Sequence, residues 1–123
     1  MEKPQTAKVL VVDDMEMILF VIKDQLSRFG LQVDTASSGG EAIEKVKQND
    51  YNLVFMDNLM PEMDGIEAAG EIRKFKKELP IIALTSNVDS EAEEKFLAAG
   101  FNGFLSKPVV KQKLEETLKK WLA

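Results

Sequence analysis

The chain has 123 residues, the length of a single domain, and 45% of them are hydrophobic while 30% are charged. The formal net charge of -5 argues against nucleic-acid binding, which requires clustered Lys and Arg. The sequence contains neither Cys nor His, which excludes disulfides, thiolate chemistry, catalytic triads that use His and zinc sites built on His. Any bound metal must therefore have oxygen ligands, as Mg²⁺, Mn²⁺ and Ca²⁺ do.

Two other partner classes are disfavoured by the pattern of apolar and basic residues. No apolar run approaches the roughly 20 residues that a membrane-spanning helix needs, and the N-terminus lacks the apolar segment of a signal peptide. The lysines between Lys111 and Lys120 are interleaved with Glu115 and Glu116, which is typical of a solvated helix face. We therefore expect a cytoplasmic protein whose domain contacts neither membranes nor nucleic acids.

Five short apolar runs predict β-strands. They cover residues 8–12, 31–36, 51–56, 80–84 and 102–105. The run at 51–56 is apolar nearly throughout, which is typical of a strand that is buried on both faces. The run at 31–36 alternates apolar and polar residues, which predicts a strand with one more exposed face.

Five amphipathic stretches alternate with these runs and predict helices. Three of them open with a capping-box pattern, in which Ser or Asp precedes Glu by three residues: Ser38 and Glu41, Asp64 and Glu67, Ser90 and Glu93. Gly30 and Gly100 are predicted to end the first and fourth helices, and the second is predicted to end near Asn49. The apolar positions predicted to face the core are Ile18, Ile22, Leu26, Phe29, Ala42, Ile43, Val46, Ala68, Ala69, Ile72, Phe75, Phe96, Val110, Leu114, Leu118 and Trp121.

The strict alternation of strands and helices predicts an α/β fold with a parallel sheet covered by helices on both faces. In such sheets, ligands bind in the crevice outside the carboxyl ends of the strands. Reactive polar residues stand at those positions: Asp13 and Asp14 after the first strand, Asp57 after the third, Thr85 after the fourth and Lys107 beyond the fifth.

The three carboxylates indicate a cation site. A single Asp after a strand would be interpreted as a turn or helix-capping residue. Three carboxylates brought together repel one another unless protons or a cation compensate their charge. A Mg²⁺ ion would do so and would also neutralise a phosphoryl group, to which Lys107 and Thr85 add a positive charge and a hydroxyl donor.

The chain resembles the response-regulator receiver domains of two-component signalling over essentially its whole length. The matching motifs occur in family order and at compatible spacing: Val11-Val12-Asp13-Asp14, Met56-Asp57, Met60-Pro61-x-Met63-Asp64-Gly65, Ala83-Leu84-Thr85-Ser86 and Lys107-Pro108. The resemblance implies one receiver domain over residues 1–123, with a core of about 7–122. It implies a flavodoxin-like three-layer sandwich, in which a five-stranded parallel sheet of order 2-1-3-4-5 is combined with five helices.

The resemblance also implies the chemistry of the site. Asp57 would be the phosphoacceptor, and Asp13, Asp14, Asp57 and the backbone carbonyl of Leu59 would bind Mg²⁺, with Mn²⁺ as an alternative ion. Thr85 and Lys107 would bind the phosphoryl oxygens, and the Lys107-Pro108 peptide bond is expected to be cis.

A conformational switch is the second function that the resemblance implies. Thr85 would move toward the phosphoryl group while the ring of Phe104 turns inward, which would change the face formed by helix 4, strand 5 and helix 5. An ordinary core position is the alternative interpretation of Phe104. Leu59 and Asn87 flank the expected path of the hydrolytic water, and an apolar Leu59 predicts a long-lived phosphoryl group.

The implied partners are a histidine kinase or histidine phosphotransfer protein as phosphoryl donor and an unknown protein effector. We expect a monomer or a weak dimer that depends on phosphorylation, and no turnover of a separate substrate. Three origins remain open: a stand-alone response regulator, a receiver excised from a larger protein and a synthetic chain. The local sequences around Thr85 and Lys107 resemble those of receivers in hybrid sensor kinases.

Two other functions compete with the phosphorylation switch. One is an interaction module that works without phosphorylation. The other is a Mg²⁺-dependent aspartyl phosphatase, although Leu59 stands where such enzymes carry an acid/base Asp. A third alternative, a flavodoxin-type cofactor carrier, has still less support, because no phosphate-binding loop follows the first strand.

Overall fold

The computed structural model describes residues 7–60, 62–86 and 90–122, apart from the side chain of Ser90. The strands are β1 (Lys8–Val12), β2 (Gln32–Ala36), β3 (Leu53–Asp57), β4 (Ile81–Thr85) and β5 (Gly103–Ser106). The helices are α1 (Glu16–Ser27), α2 (Gly39–Gln48), α3 (Gly65–Arg73), α4 (Ser90–Ala98) and α5 (Lys111–Leu122). Among these helices, none is long and apolar enough to cross a membrane.

The five strands form one parallel sheet in the order β2-β1-β3-β4-β5. This confirms the predicted flavodoxin-like fold and its strand order. The chain moves outward from β1 in both directions, first to β2 and later to β3. Such a switch in direction opens a crevice at the carboxyl ends of the central strands, where ligands bind in this fold class.

Two apolar clusters hold the three layers together. Every residue of β3 and β4 is buried, as expected for central strands covered on both faces. Alternate strand residues point to opposite faces, so Val9 and Val11 contact α1 and α5 while Leu10 and Val12 contact the side with α2, α3 and α4. The sheet is therefore the rigid frame on which the loops at its carboxyl edge are mounted.

Two predicted core positions are wrong. Phe75 is 38% exposed because α3 ends at Arg73, so the helical spacing does not continue to residue 75. Val110 is 58% exposed because it precedes the first turn of α5. β3 also begins at Leu53, two residues later than predicted.

The helix starts follow the predicted caps with one difference. Asp64 and Glu67 form a complete capping box at α3. At α2 the Ser38 side chain accepts from the Glu41 N–H, but the Glu41 carboxylate accepts from Ser37 N–H at 2.8 Å instead of completing the box at Ser38. α4 begins at Ser90, whose predicted capping side chain lies outside the described part of the structure.

Candidate functional site

The predicted site residues lie together at the carboxyl edge of the sheet. Asp13 follows β1, and its N–H donates to the carbonyl of Ala36 at 3.1 Å. Asp57 is the last residue of β3, and Thr85 is the last residue of β4. The Lys107 N–H donates to the Thr85 carbonyl at 2.8 Å, so Lys107 continues the hydrogen-bond ladder between β4 and β5. The Lys107-Pro108 peptide bond is cis, as the resemblance implies.

Three carboxylates converge on one point of this edge. Asp13, Asp14 and Asp57 each place one oxygen within 4.8 Å of the oxygens of the other two. Asp13 is fully buried and Asp57 is 5% exposed, while Asp14 is open to solvent. The Asp13 Oδ1 also accepts from the Met15 N–H at 2.9 Å, which fixes its carboxylate at the start of α1.

Lys107 provides the positive charge of the cluster. Its Nζ donates to Asp57 Oδ1 at 2.8 Å and lies 3.1 Å from Asp13 Oδ2. The contact with Asp13 is an ion pair without hydrogen-bond geometry, and Asp13 Oδ2 is a buried acceptor that receives no hydrogen bond within the described structure. A buried anionic oxygen with unused acceptor capacity, in a site made of oxygen donors only, fits a hard divalent cation such as Mg²⁺.

The charges of the cluster are shifted by burial and by one another. Burial raises the pKa of Asp57, the hydrogen bond from Lys107 opposes this, and the charge of Asp13 adds to the rise. Burial alone would lower the pKa of Lys107, but its hydrogen bond to Asp57 and the negative charges of Asp57 and Asp13 outweigh burial and raise the pKa. Lys107 thus stays protonated, while the Asp57 carboxylate is held in an environment that favours neutralisation of its charge.

The loop after β3 forms the mouth of the site. Leu59 is 73% exposed, and its backbone N–H bonds to the Asp57 carboxylate and lowers the pKa of that group against the effect of burial. The metal-binding role of the Leu59 carbonyl remains a prediction. Asn87, the other predicted neighbour of the hydrolytic water, lies outside the described residues.

Gly65 closes this loop from the other side. Its N–H donates to the Asn58 carbonyl at 2.9 Å. A Cβ at Gly65 would lie 2.3 Å from the Asp57 carbonyl oxygen, which is far inside van der Waals contact. Only glycine therefore allows the start of α3 to approach the backbone of Asp57, and the sequence carries this signal in its Asp64-Gly65 pair.

The two predicted switch residues lie on one face of the sheet. Thr85 is buried, and Phe104 is half-buried with its ring centroid 6.4 Å from that of Phe96 on α4. Phe104 pairs with Ala83 across the β4–β5 ladder, two residues before Thr85, so strand alternation places Phe104 and Thr85 on the same side. Phe104 packs against the core cluster of that side, so the arrangement is compatible with both interpretations of its ring.

An apolar surface beside the site was missed by the sequence analysis. We call it the rim patch, and it consists of Met15, Met17, Phe20, Val21 and Leu59, which are between 47% and 75% exposed. Met17, Phe20 and Val21 share one face of α1, opposite to the buried face of that helix. The sequence did contain a signal for this surface, because α1 has apolar residues on both of its faces. The sequence analysis considered only the apolar residues at core spacing and therefore missed the second face.

Comparisons with known proteins agree with the fold. The family described as the response regulator receiver domain matches residues 9–119 of the chain. The autoinducer 2 sensor kinase/phosphatase LuxQ of Vibrio vulnificus is 36% identical over 115 residues, which cover 93% of this chain and 13% of LuxQ. The chain thus spans a small fraction of this curated relative.

Two solved structures extend the similarity to three dimensions. The receiver domain of the sensor histidine kinase PA1611 from Pseudomonas aeruginosa, with a magnesium ion coordinated in its active-site cleft, is 32% identical with a TM-score of 0.88, covering 96% of this chain and 98% of that one. The receiver domain of Ssk1 from Saccharomyces cerevisiae, crystallised with the histidine phosphotransfer protein Ypd1, is 29% identical with a TM-score of 0.89, covering 98% and 91%. The chain belongs to the family of response regulator receiver domains.

Proposed function

We propose that the chain accepts a phosphoryl group on Asp57 from a phosphohistidine of another protein. The observation that carries this proposal is the position of the Lys107 ammonium, which bridges Asp57 and Asp13 beside three convergent carboxylates. An ammonium at that point would contact an oxygen of a phosphoryl group bonded to Asp57. The proposal is further supported by the magnesium-bound cleft of the PA1611 receiver and by the Ssk1 complex with a phosphotransfer protein.

The transfer itself requires little covalent work from this chain. A carboxylate oxygen of Asp57 attacks phosphorus in line, and the bond between phosphorus and the histidine nitrogen breaks. The histidine leaves as neutral imidazole when its other ring nitrogen carries a proton, so no acid in the receiver is required to protonate it. The product is an acyl phosphate, which water later hydrolyses, and no separate substrate is turned over.

Metal binding would stabilise the charge that develops during transfer. Asp13, Asp14, Asp57 and the Leu59 carbonyl would bind Mg²⁺, which would neutralise the oxygens of the transferred group. Mn²⁺ prefers the same oxygen donors and would be expected to substitute. Without the cation, Lys107 alone faces three carboxylates.

Phosphorylation would change the surface through Thr85 and Phe104. The phosphoryl group adds about -1.5 to -2 charge and strong acceptor oxygens. The Thr85 hydroxyl would bind one of these oxygens, and the Phe104 ring would follow into the space behind it. The face formed by α4, β5 and α5 would then present a different surface to a protein effector, without contacts to nucleic acid or membrane.

The rim patch would receive the phosphoryl donor. A donor histidine must come within bonding distance of Asp57, so the protein that carries it must cover the residues around the mouth of the site. Met15 follows the Asp13-Asp14 pair and Leu59 follows Asp57, so both flank the point of attack. An exposed apolar patch at that place is typical of a protein-binding surface, and a donor kinase or phosphotransfer protein acting there would place the domain in the cytoplasm.

Intact-mass measurement after incubation with acetyl phosphate and Mg²⁺ tests the proposal. We expect a labile gain of about 80 Da for one phosphoryl group, which disappears in EDTA and in Asp57→Asn. Asp50→Asn is the matched control, because Asp50 is 97% exposed and far from the site, and it should gain the same mass. Repeating the reaction with Mn²⁺ tests the alternative ion.

If no gain in mass is observed, the receiver could still accept a phosphoryl group from a histidine donor. A phosphorylated histidine donor would then be added in place of acetyl phosphate. Transfer from that donor to wild type but not to Asp57→Asn supports the proposal. No transfer from either reagent would overturn it and favour an interaction module that works without phosphorylation.

The lifetime of the phosphoryl group tests the proposed role of Leu59. Leu59 has an exposed apolar side chain two residues after Asp57, where it would hinder the hydrolytic water. We expect Leu59→Asn to accelerate dephosphorylation several-fold, whereas Leu97→Asn, at another exposed leucine on α4, should not change the rate. An unchanged rate in Leu59→Asn would contradict this role.

A further inference from the structure

Methionine is the only sulfur-containing residue type in this chain, because the sequence contains no Cys. In proteins that contain both residues, exposed thiolates compete with methionine for oxidants such as hydroperoxides. That competition is missing here, so an oxidant that attacks sulfur can react only with methionine. Which methionines react then depends on how far each of them is exposed to solvent.

The methionines that the structure describes fall into two groups. Met15 is 56% exposed and Met17 is 75% exposed. Met56 is fully buried and Met60 is 9% exposed, and both belong to one core cluster. Met63 is partly buried and packs against the same cluster. A dissolved oxidant can therefore reach Met15 and Met17 in the folded chain, whereas the core covers the other three wholly or in part.

Neither exposed methionine side chain is needed to hold α1 in place. Met15 directly precedes the helix and makes no capping hydrogen bond with its side chain, and its contact with the Asp13 carboxylate uses the backbone N–H. Met17 lies with Phe20 and Val21 on the exposed face of α1, opposite the residues that the helix buries. Oxidation of either sulfur would thus leave the packing of α1 and the bond to Asp13 intact.

Oxidation would change the chemistry of the rim patch at two of its residues. The thioether sulfur attacks one oxygen of hydrogen peroxide, so a sulfur–oxygen bond forms and the oxygen–oxygen bond breaks. The proton of the attacked oxygen passes to the departing oxygen, which leaves as water. The sulfur is oxidised by two electrons and the peroxide is reduced by two. The resulting sulfoxide is polar and accepts hydrogen bonds, so covering it with an apolar surface costs free energy.

We propose that Met15 and Met17 are modification sites at which hydroperoxides make the rim patch polar and so weaken docking of the phosphoryl donor. Both stand close to the Asp13-Asp14 pair, one and three residues after Asp14. A donor that docks on the rim patch would cover both sulfurs. The change is reversible, because methionine sulfoxide reductases restore the thioether. The effect on the donor rests on the proposed function, whereas the selective oxidation does not.

Peptide mapping of the full chain after treatment with hydrogen peroxide tests the selectivity. Trypsin separates the methionines into peptides 1–8, which carries Met1 from outside the described residues, 9–23, which carries Met15 and Met17, and 48–73, which carries Met56, Met60 and Met63. We expect peptide 9–23 to gain about 16 Da per oxygen, at least about tenfold faster than peptide 48–73. In concentrated urea, where the core is open, both peptides should be oxidised at similar rates.

Phosphoryl transfer to the oxidised chain tests the effect on docking. Two phosphoryl sources are compared: acetyl phosphate, and a phosphorylated histidine phosphotransfer protein that transfers to the unoxidised chain. At limiting donor concentration we expect the rate of transfer from the protein to fall about tenfold, because a polar group must be covered. The rate with acetyl phosphate should stay unchanged, since a small molecule needs no docking surface. Treatment with methionine sulfoxide reductase should restore transfer from the protein.

A double variant, Met15→Leu with Met17→Leu, assigns the effect to these two sulfurs. Leucine keeps the patch apolar but contains no sulfur. Whatever the rate of transfer from the donor protein to the untreated variant, peroxide treatment should leave that rate unchanged. A loss of transfer in the treated variant would assign the effect to other residues and overturn the proposal.

The proposal and the proposed function can fail separately. The proposal is overturned if peptide 9–23 of the folded chain is oxidised no faster than 48–73, or if oxidation leaves transfer from the donor protein unchanged. It is also overturned if oxidation slows the reaction with acetyl phosphate equally, because the damage would then lie in the site itself. If the unoxidised chain gains no phosphoryl group from either source, the proposed function fails, while selective oxidation of peptide 9–23 would still stand.

Discussion

The two edges of the sheet differ in how far their charges are balanced within the chain. At the carboxyl edge, which we call the site edge, Lys107 is shared by Asp13 and Asp57, and Asp14 adds a further negative charge. At the amino edge, which we call the opposite edge, Tyr51 donates to Asp34 at 2.7 Å, and the Lys8 ammonium lies 4.0 Å from the Asp34 carboxylate. The charge of Asp34 is thus matched by one cation, whereas at the site edge one ammonium faces three carboxylates. The difference teaches that the site edge is organised for binding at the expense of stability.

Replacing the lysine at each edge should give the largest difference in the free energy of unfolding. We expect Lys107→Met to lower the free energy of unfolding in EDTA by about 3 kcal/mol, because two buried carboxylates lose their bridging ammonium. Lys8→Met at the opposite edge should lower it by less than about 1 kcal/mol, since that ion pair with Asp34 is long and partly exposed. Urea denaturation measures both values. Equal losses would contradict the comparison.

Two glycines of α3, one at its first residue and one in its interior, offer a test with opposite signs. Gly65→Ala should destabilise the protein by about 2 kcal/mol, because the new methyl group meets the Asp57 carbonyl. Gly70→Ala, in the same helix, meets nothing within 4 Å and should stabilise by up to about 1 kcal/mol through helix propensity. Thermal unfolding of both variants decides this. A stable Gly65→Ala would show that the approach of α3 to Asp57 is not tight.

Neutralising one acid at each edge should also give opposite signs, with smaller magnitudes. Asp13→Asn should raise the free energy of unfolding in EDTA by about 1 kcal/mol, because Asp57 and Lys107 then form a balanced pair. Asp34→Asn should lower the free energy of unfolding by about 0.5 kcal/mol, because the hydrogen bond from Tyr51 would then have a neutral acceptor. The measurement is urea denaturation at neutral pH. A destabilised Asp13→Asn would mean that its ion pair outweighs the repulsion.

The smallest expected difference between the edges is in the pH range over which each affects the free energy of unfolding. The pKa of Asp57 is raised above 3.8, so the folded state keeps this proton while the unfolded state loses it, and the contribution to stability falls as pH rises through that window. In EDTA, Asp57→Asn should therefore gain stability relative to wild type as pH rises from below 3.8. Burial and the bond to Asp34 raise the pKa of Tyr51, which affects stability only at alkaline pH. A difference that does not depend on pH would contradict the raised pKa of Asp57.

Much of the fold and the site could be predicted from the sequence, for physical reasons that differ between elements. Strand and helix types follow from apolar periodicity, and the convergence of Asp13, Asp57 and Thr85 follows from their positions after neighbouring parallel strands. The strand order came only from the family motifs, because periodicity contains no information about neighbours. Phe75 was misplaced because the end of a helix depends on capping and tertiary contacts that its spacing does not show.

Other features were beyond the reach of pattern analysis. The exposed face of α1 was missed because an apolar residue in a helix is normally assigned to the core, and Phe20 and Val21 sit between true core positions. The hydrogen bonds that Arg73 donates to the carbonyls of Gly100 and Lys76 could not be predicted, because these acceptors belong to the backbone. A carbonyl carries no side-chain signature, so such contacts appear only when the chain is folded.

The hydrogen bond between the Lys107 N–H and the Thr85 carbonyl limits how the site could be redesigned. It places the ammonium and the hydroxyl on neighbouring strands, whose separation of about 4.8 Å is fixed by backbone geometry. The backbone spacing of these two proposed phosphoryl-binding residues is therefore inherited from the sheet. A variant meant to bind a larger or smaller tetrahedral anion would have to change side-chain length at residue 85 or 107, because the strands themselves cannot be moved apart.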